Sequence, residues 1–132
     1  MTDQTKPHGV LALQTVAMPA DTNANGDIFG GWVVSHMDMA CGIEARRRSH
    51  SRAVTVAIDQ LIFIKPVRVG DTLSCYVDLT HVGRTSMKFS IEVWTVSLDC
   101  EMQDNIIPVK AAQGVFTFVA IDENGKPRPV DR

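Results

Sequence analysis

The 132 residues predict an α+β chain in which a long antiparallel sheet wraps around one central helix. Three observations lead there. One run, Gly31 to about Arg48, has apolar residues at helical spacing. From Arg52 onward, apolar and polar residues alternate at period two through successive segments. The links between those segments are short, which makes neighbouring strands antiparallel. Such a sheet covers a single helix and leaves its own edge open, so pairing with a second copy is expected.

The elements follow in order. Residues 1–8 read as a loose polar tail. Val10 to Ala17 reads as a strand that Pro19 ends. A turn-forming loop runs from Pro19 to Phe29 and empties through Gly30-Gly31 into the helical run. Trp32, Val33, Val34, Met37, Met39, Ala40, Cys41 and Ile43 cover most of that helix, which predicts burial nearly all round. Glu44 to Arg48 is its charged end, where arginines suit a helix C-terminus. Val54, Val56 and Ile58 then alternate, and Leu61 to Ile64 is apolar up to Lys65-Pro66. Leu73, Cys75, Val77 and Leu79 alternate with polar neighbours, as do Met87, Phe89, Ile91 and Val93, with Gly83-Arg84 as the turn between. A looser stretch, Leu98 to Ile107, precedes the last strand, Val109 to Ile121. Glu123 to Lys126 closes it as a turn, and residues 127–132 read as a second loose tail.

Composition narrows the functional classes. The length fits one domain. A net charge of −2 supplies no general attraction to nucleic acid. Cys41, Cys75 and Cys100 are isolated, form no CxxC pair and, with four scattered histidines, no metal-ligand spacing. They read as reduced thiols of a cytoplasmic protein. No apolar run approaches ~18 residues, so no membrane span is expected.

The loop and helix carry the candidate chemistry. A helix start has unpaired N–H groups and partial positive charge, and glycine lets a ligand come close to that backbone. Gly31 is thus a candidate donor to a negative oxygen. Two turns on, Asp38 stands in an apolar run with no neighbouring Lys or Arg, a placement that needs either a catalytic role or a hydrogen-bonded structural one. Asn23 suits the loop as a turn residue or as a polar contact to a ligand. Thr55 is a plain strand residue or a partner for a water. Arg84, Thr85 and Ser86 form a hairpin turn or a phosphate-binding tip. Arg46, Arg47, Arg48 and Arg52 read as a solvated helix end, with a phosphate contact as the other reading.

The segment Pro19-Ala20-Asp21-Thr22-Asn23-Ala24-Asn25-Gly26-Asp27-Ile28-Phe29-Gly30-Gly31-Trp32, followed by Met37-Asp38, closely resembles the bacterial YciA-type acyl-CoA thioesterases of the hotdog superfamily. The resemblance extends to Phe63 to Val67, Val69-Gly70-Asp71, Gly83 to Ser86, Glu92 to Trp94 and Phe116 to Ala120. It implies a hotdog fold and hydrolysis of acyl-CoA at a site shared between two subunits. It implies a dimer as the unit, with three dimers in a hexamer, and no cofactor beyond the coenzyme A of the substrate. The family's loop asparagine falls on Asn23, its second helix-opening glycine on Gly31 and its helix carboxylate on Asp38. Many relatives carry His-Gly-Gly where this chain has Phe29-Gly30-Gly31, so the reaction does not need that histidine.

A thioester suits so sparse a site. Its leaving thiol has a pKa near ~8.5 if it resembles cysteine, so little acid assistance is needed. An activated water or a nucleophile is needed, with stabilisation of the oxyanion. Asp38 can supply the first, as general base or by direct attack, and the Gly31 N–H the second. Asn23 on the facing subunit's loop can orient water or carbonyl. Two other readings remain at this stage: a dehydratase or hydratase acting on the acyl group, and a non-catalytic acyl-CoA binder.

Overall fold

The computed structural model describes residues 6–104 and 106–131. The first strand, β1 (Val10–Val16), leads through a short 3-10 turn (Pro19–Asp21) and the loop to α1 (Gly30–Ser49). Four longer strands follow: β2 (Arg52–Phe63), β3 (Thr72–Val82), β4 (Ser86–Val96) and β5 (Val109–Ile121), with a short helix α2 (Leu98–Glu101) before the last. They form a five-stranded sheet in the order β1-β3-β4-β5-β2, with every neighbouring pair antiparallel.

The alternation in β4 and β5 builds the helix-facing side of the sheet. Met87, Phe89, Ile91 and Val93 are buried, as are Phe116 and Phe118, and Phe89 meets Phe118 edge-on at 6.0 Å between ring centroids. From α1, the stripe Val33, Met37, Ala40, Cys41 and Ala45 packs down onto them. Gly114 permits the closest approach. A Cβ there would stand 3.3 Å from Leu61 Cδ1, which would have to shift by a few tenths of an ångström, and would be in van der Waals contact with Met37 Cε at 3.5 Å.

Four expectations change. The helix was expected to be buried nearly all round, yet only that one stripe is buried; Met39 is 48% exposed, and its face looks outward from the single chain. The stretch before β5 holds α2, whose start is capped by the Ser97 hydroxyl accepting from the Cys100 N–H. The tail after Pro127 is packed rather than loose. Val130 is 3% exposed, its N–H donates to the Arg84 carbonyl at 2.9 Å, and the Arg128 N–H donates to the Ala120 carbonyl at 2.9 Å. Arg48 pairs with Asp131 beyond it at 2.7 Å. Residues 1–5 lie outside the described residues. His8, placed in the N-terminal tail, is tied down: its N–H donates to Glu92 and its ring meets Asp78 at 3.1 Å.

A chain ending at Lys126 is therefore expected to be less stable. It loses the burial of Val130, worth about 1.5–3 kcal/mol, together with two backbone hydrogen bonds. Thermal unfolding by circular dichroism should show a melting temperature several degrees lower. An unchanged value would return the segment to the status of a tail.

Candidate functional site

Period two along β2 puts Ala53, Thr55 and Ala57 on the side of the sheet that faces α1, while Val54, Val56 and Ile58 point the other way and are exposed. Thr55 thereby comes opposite Asp38, and its hydroxyl donates to Asp38 Oδ1 in a short hydrogen bond. Asp38 is half-buried, and among the described residues no Lys or Arg pairs with it. Its second oxygen, Oδ2, has no hydrogen-bond partner among the described residues. The carboxylate suspected from sequence of lacking a partner is thus held by one oxygen and open at the other. That is the arrangement a general base or nucleophile needs: fixed aim and a free lone pair.

Asp38 and Thr55 both line a groove of about 470 Å³, a size suited to a small-molecule ligand. Leu13, Met39, Ile43 and Phe118 give it apolar walls, and Gly42 and Arg46 also line it. A larger concavity of about 660 Å³ lies beyond the end of α1, among His50, Arg52, Asp122 and Arg128. Arg52 there is committed, donating to the carbonyls of Asp122 and Glu123 at 2.8 and 3.2 Å, and Asp122 Oδ1 accepts from the N–H groups of Asn124 and Lys126. The smaller groove is the better candidate, because it joins apolar walls to a carboxylate with an open oxygen.

Cys41, also on α1, is not a competing nucleophile. Burial pushes its thiol far up, and the neighbouring Cys75 and the Asp38 carboxylate push it further. Burial likewise raises Cys75, to about 12. Thiols raised this far stay protonated near neutral pH. Among the described residues no three His, Cys, Asp or Glu side chains converge as metal ligands would.

The helix start offers the second feature. Phe29 caps α1 without a side-chain hydrogen bond, and the first N–H groups with acceptors there are those of Trp32 and Val33, both to the Phe29 carbonyl. The Gly30 and Gly31 N–H groups have no acceptor among the described residues. Gly31 is exposed, and a Cβ built on it would meet nothing within 4 Å. Gly31 and Asp38 share one face of the helix but stand about 10 Å apart along its axis.

Asn23 is first a loop-former. Its Oδ1 accepts from the N–H groups of Asn25 at 2.9 Å and Asp27 at 3.2 Å, which closes the turn, and its Nδ2 has no partner among the described residues. Arg84, Thr85 and Ser86 lie at the β3–β4 hairpin, where the Gly83 N–H donates to the Ser86 carbonyl at 2.8 Å. The carbonyls of Arg84 and Thr85 accept from Val130 and Ala120. None of the three lines the Asp38 groove. Within one chain the fold therefore joins Asp38 to Thr55, and sets Asn23, Gly31 and the hairpin tip apart from them.

The arginines at the end of α1 separate by role. Arg47 pairs with Glu44, Arg48 with Asp131, and Arg52 with the two carbonyls. Sequence spacing alone treated the four as one solvated group. Arg46 is the exception that lines the groove, which becomes visible only once β2 and β5 are placed against the helix.

Residues 25–100 match the family model described as the thioesterase superfamily. A Haemophilus influenzae protein called an uncharacterized acyl-CoA thioester hydrolase is 51% identical over 124 residues, spanning 94% of this chain and 79% of that one. The acyl-CoA thioester hydrolase YciA of Salmonella typhimurium is 46% identical over 128 residues, spanning 94% of this chain and 92% of that one. Among solved structures, a hexameric broad specificity acyl-coenzyme A thioesterase, determined as an aspartate-to-alanine mutant, superposes with a TM-score of 0.89 at 48% identity, covering 95% of this chain and 88% of that one. With this sheet order, this helix and these likenesses, the chain belongs to the thioesterase superfamily, has its hotdog fold, and falls among the YciA-type acyl-CoA thioester hydrolases.

Proposed function

We propose that this chain hydrolyses acyl-CoA to a free carboxylic acid and coenzyme A. The observation that carries the reading is Asp38, which lines an apolar groove, is held through one oxygen by Thr55 and has its other oxygen unpartnered among the described residues. The open oxygen takes a proton from an attacking water, or itself attacks the thioester carbonyl. The C–S bond then breaks and the thiolate leaves; where Asp38 has attacked directly, the acyl group remains on it as an anhydride, which water cleaves to free the acid and restore the carboxylate. The Gly31 N–H supports the oxyanion at the helix start. The roughly 10 Å between Gly31 and Asp38 of one chain leaves room for a second chain to complete the site. The facing chain contributes the Asn23 loop, whose uncommitted Nδ2 orients the carbonyl or the water. Arg84, Thr85 and Ser86 serve the phosphate-bearing end of coenzyme A from a hairpin outside the groove.

The assembly follows from the sheet edge. β2 is an outer strand carrying exposed Val54, Val56, Ile58 and Ile62, an edge that a second copy would cover. Together with the hexameric relative, this supports a hexamer built from dimers. Light scattering at micromolar concentration should give several times the 14.5 kDa of one chain; a monomer mass would count against a shared site. The buried thiols of Cys41 and Cys75 fit a reducing compartment, the cytoplasm. A dehydratase would need a histidine aimed at the substrate. The His36 ring instead lies tilted against Trp32, 4.1 Å between ring centroids, with its Nδ1 2.8 Å from the Trp32 carbonyl.

The function is tested by following free thiol on a panel of acyl-CoAs. One thiol and one carboxylic acid should appear per thioester consumed. Modification of the acyl chain with the thioester intact would support a dehydratase, and binding without turnover would support a sensor.

A further inference from the structure

Asp38, Gly42 and Arg46 recur every fourth residue along α1 and so form one stripe on the helix surface. All three line the same groove, with Asp38 at the end nearer the helix start, Gly42 one turn on and Arg46 two turns on. The walls between them are Leu13, Met39, Ile43 and Phe118. Gly42 leaves room in the groove: a Cβ there would already be 3.6 Å from Phe118 Cε2, so a larger side chain would close the passage. Arg46 is exposed, and among the described residues it makes no ion pair and no side-chain hydrogen bond, unlike Arg47, Arg48 and Arg52. An apolar passage thus begins at a carboxylate and ends at an uncommitted guanidinium.

Resting on the hydrolase reading, we propose that this passage holds the acyl chain and that Arg46 reads its far end, favouring medium-length acyl groups that terminate in a carboxylate. The apolar walls suit methylenes; the amides of a pantetheine arm would find few side-chain partners there. The span fits as well. The helix rises about 12 Å from Asp38 to Arg46, and the Arg side chain leans back toward the N-terminus, leaving space for an extended chain on the order of six to eight carbons. A carboxylate at that point meets a planar guanidinium able to bind it through two N–H groups.

The test compares kcat/KM on matched pairs, octanoyl-CoA against the eight-carbon thioester that ends in a carboxylate. The wild-type chain should prefer the carboxylate-ended member by about tenfold, as expected of a charge-assisted hydrogen bond that is partly solvated. Arg46→Gln should remove that preference, Arg46→Lys should keep part of it, and Arg46→Glu should reverse it. Gly42→Leu should lower turnover of both eight-carbon thioesters relative to acetyl-CoA. An equal fall on both members of the pair in Arg46→Gln would overturn the proposal and assign Arg46 to the phosphates of coenzyme A. An unchanged ratio in every Arg46 variant would overturn it in favour of a solvated arginine. A wild-type chain that hydrolyses no acyl-CoA would instead defeat the hydrolase reading on which the proposal stands.

Discussion

Asp38→Asn should lower acyl-CoA turnover by at least about 10²-fold, and up to ~10⁴-fold, because proton abstraction by a positioned base is worth that much. The shape of the side chain is kept, and its amide oxygen can still accept from the Thr55 hydroxyl that now holds Oδ1. What disappears is the basic, nucleophilic second oxygen, which has no partner among the described residues. Stability should hold within about 1 kcal/mol, the scale of one ordinary hydrogen bond. The half-burial of Asp38 and its Thr55 partner replace the expectation of a fully buried carboxylate alone, so no large gain from neutralising it is expected. Thiol release and thermal melting should be measured on the same preparation. A purely structural Asp38 would show the reverse pattern, a lower melting temperature with turnover nearly kept in the folded fraction.

Phe116→Ala should be the most damaging single change to the fold. The ring is fully buried in β5, directly across from Phe89 on β4, in the layer that α1 covers. Removing it leaves a cavity between sheet and helix, and such truncations cost about 3–5 kcal/mol. Whole domains are stable by only about 5–15 kcal/mol, so the melting temperature should fall by on the order of 10 °C or more. Phe29→Ala is the control: that ring is 49% exposed at the helix start and should cost little stability. Circular dichroism melts of the two variants give the comparison, and equal losses would mean that the sheet–helix layer is not the core described here.

The strands were legible because one face of each rests on something. Met87, Phe89, Ile91 and Val93 alternate in the sequence, and all four are buried under α1. Asp38, Asn23 and Gly31 were legible as unusual residue types in an unusual order, and Thr55 was singled out as well. The hydrogen bond from Thr55 to Asp38 was not legible, since it joins two elements and depends on the facing side of an edge strand. The helix misled for a related reason. Its apolar residues run all round, while one sheet can cover only the stripe of Val33, Met37, Ala40, Cys41 and Ala45. Met39 is surplus to that stripe and suits contact with a ligand or a second copy. The C-terminal segment misled because its prolines and charges resemble a linker. Val130 alone carries its burial, and backbone hydrogen bonds to Arg84 and Ala120 leave no mark on composition.

The proposed hydrolytic centre is made by two chains, with Asp38 and Thr55 from one and the Asn23 loop from the other. The most direct test mixes two inactive proteins, Asn23→Ala and Asp38→Ala, under conditions where subunits exchange, and follows thiol release from acyl-CoA. Mixed dimers carry one intact Asn23 and one intact Asp38 at the same site, so part of the wild-type activity should return. No recovery, with exchange verified by mass or by fluorescence transfer between labelled chains, would contradict the account and place both groups within a single chain.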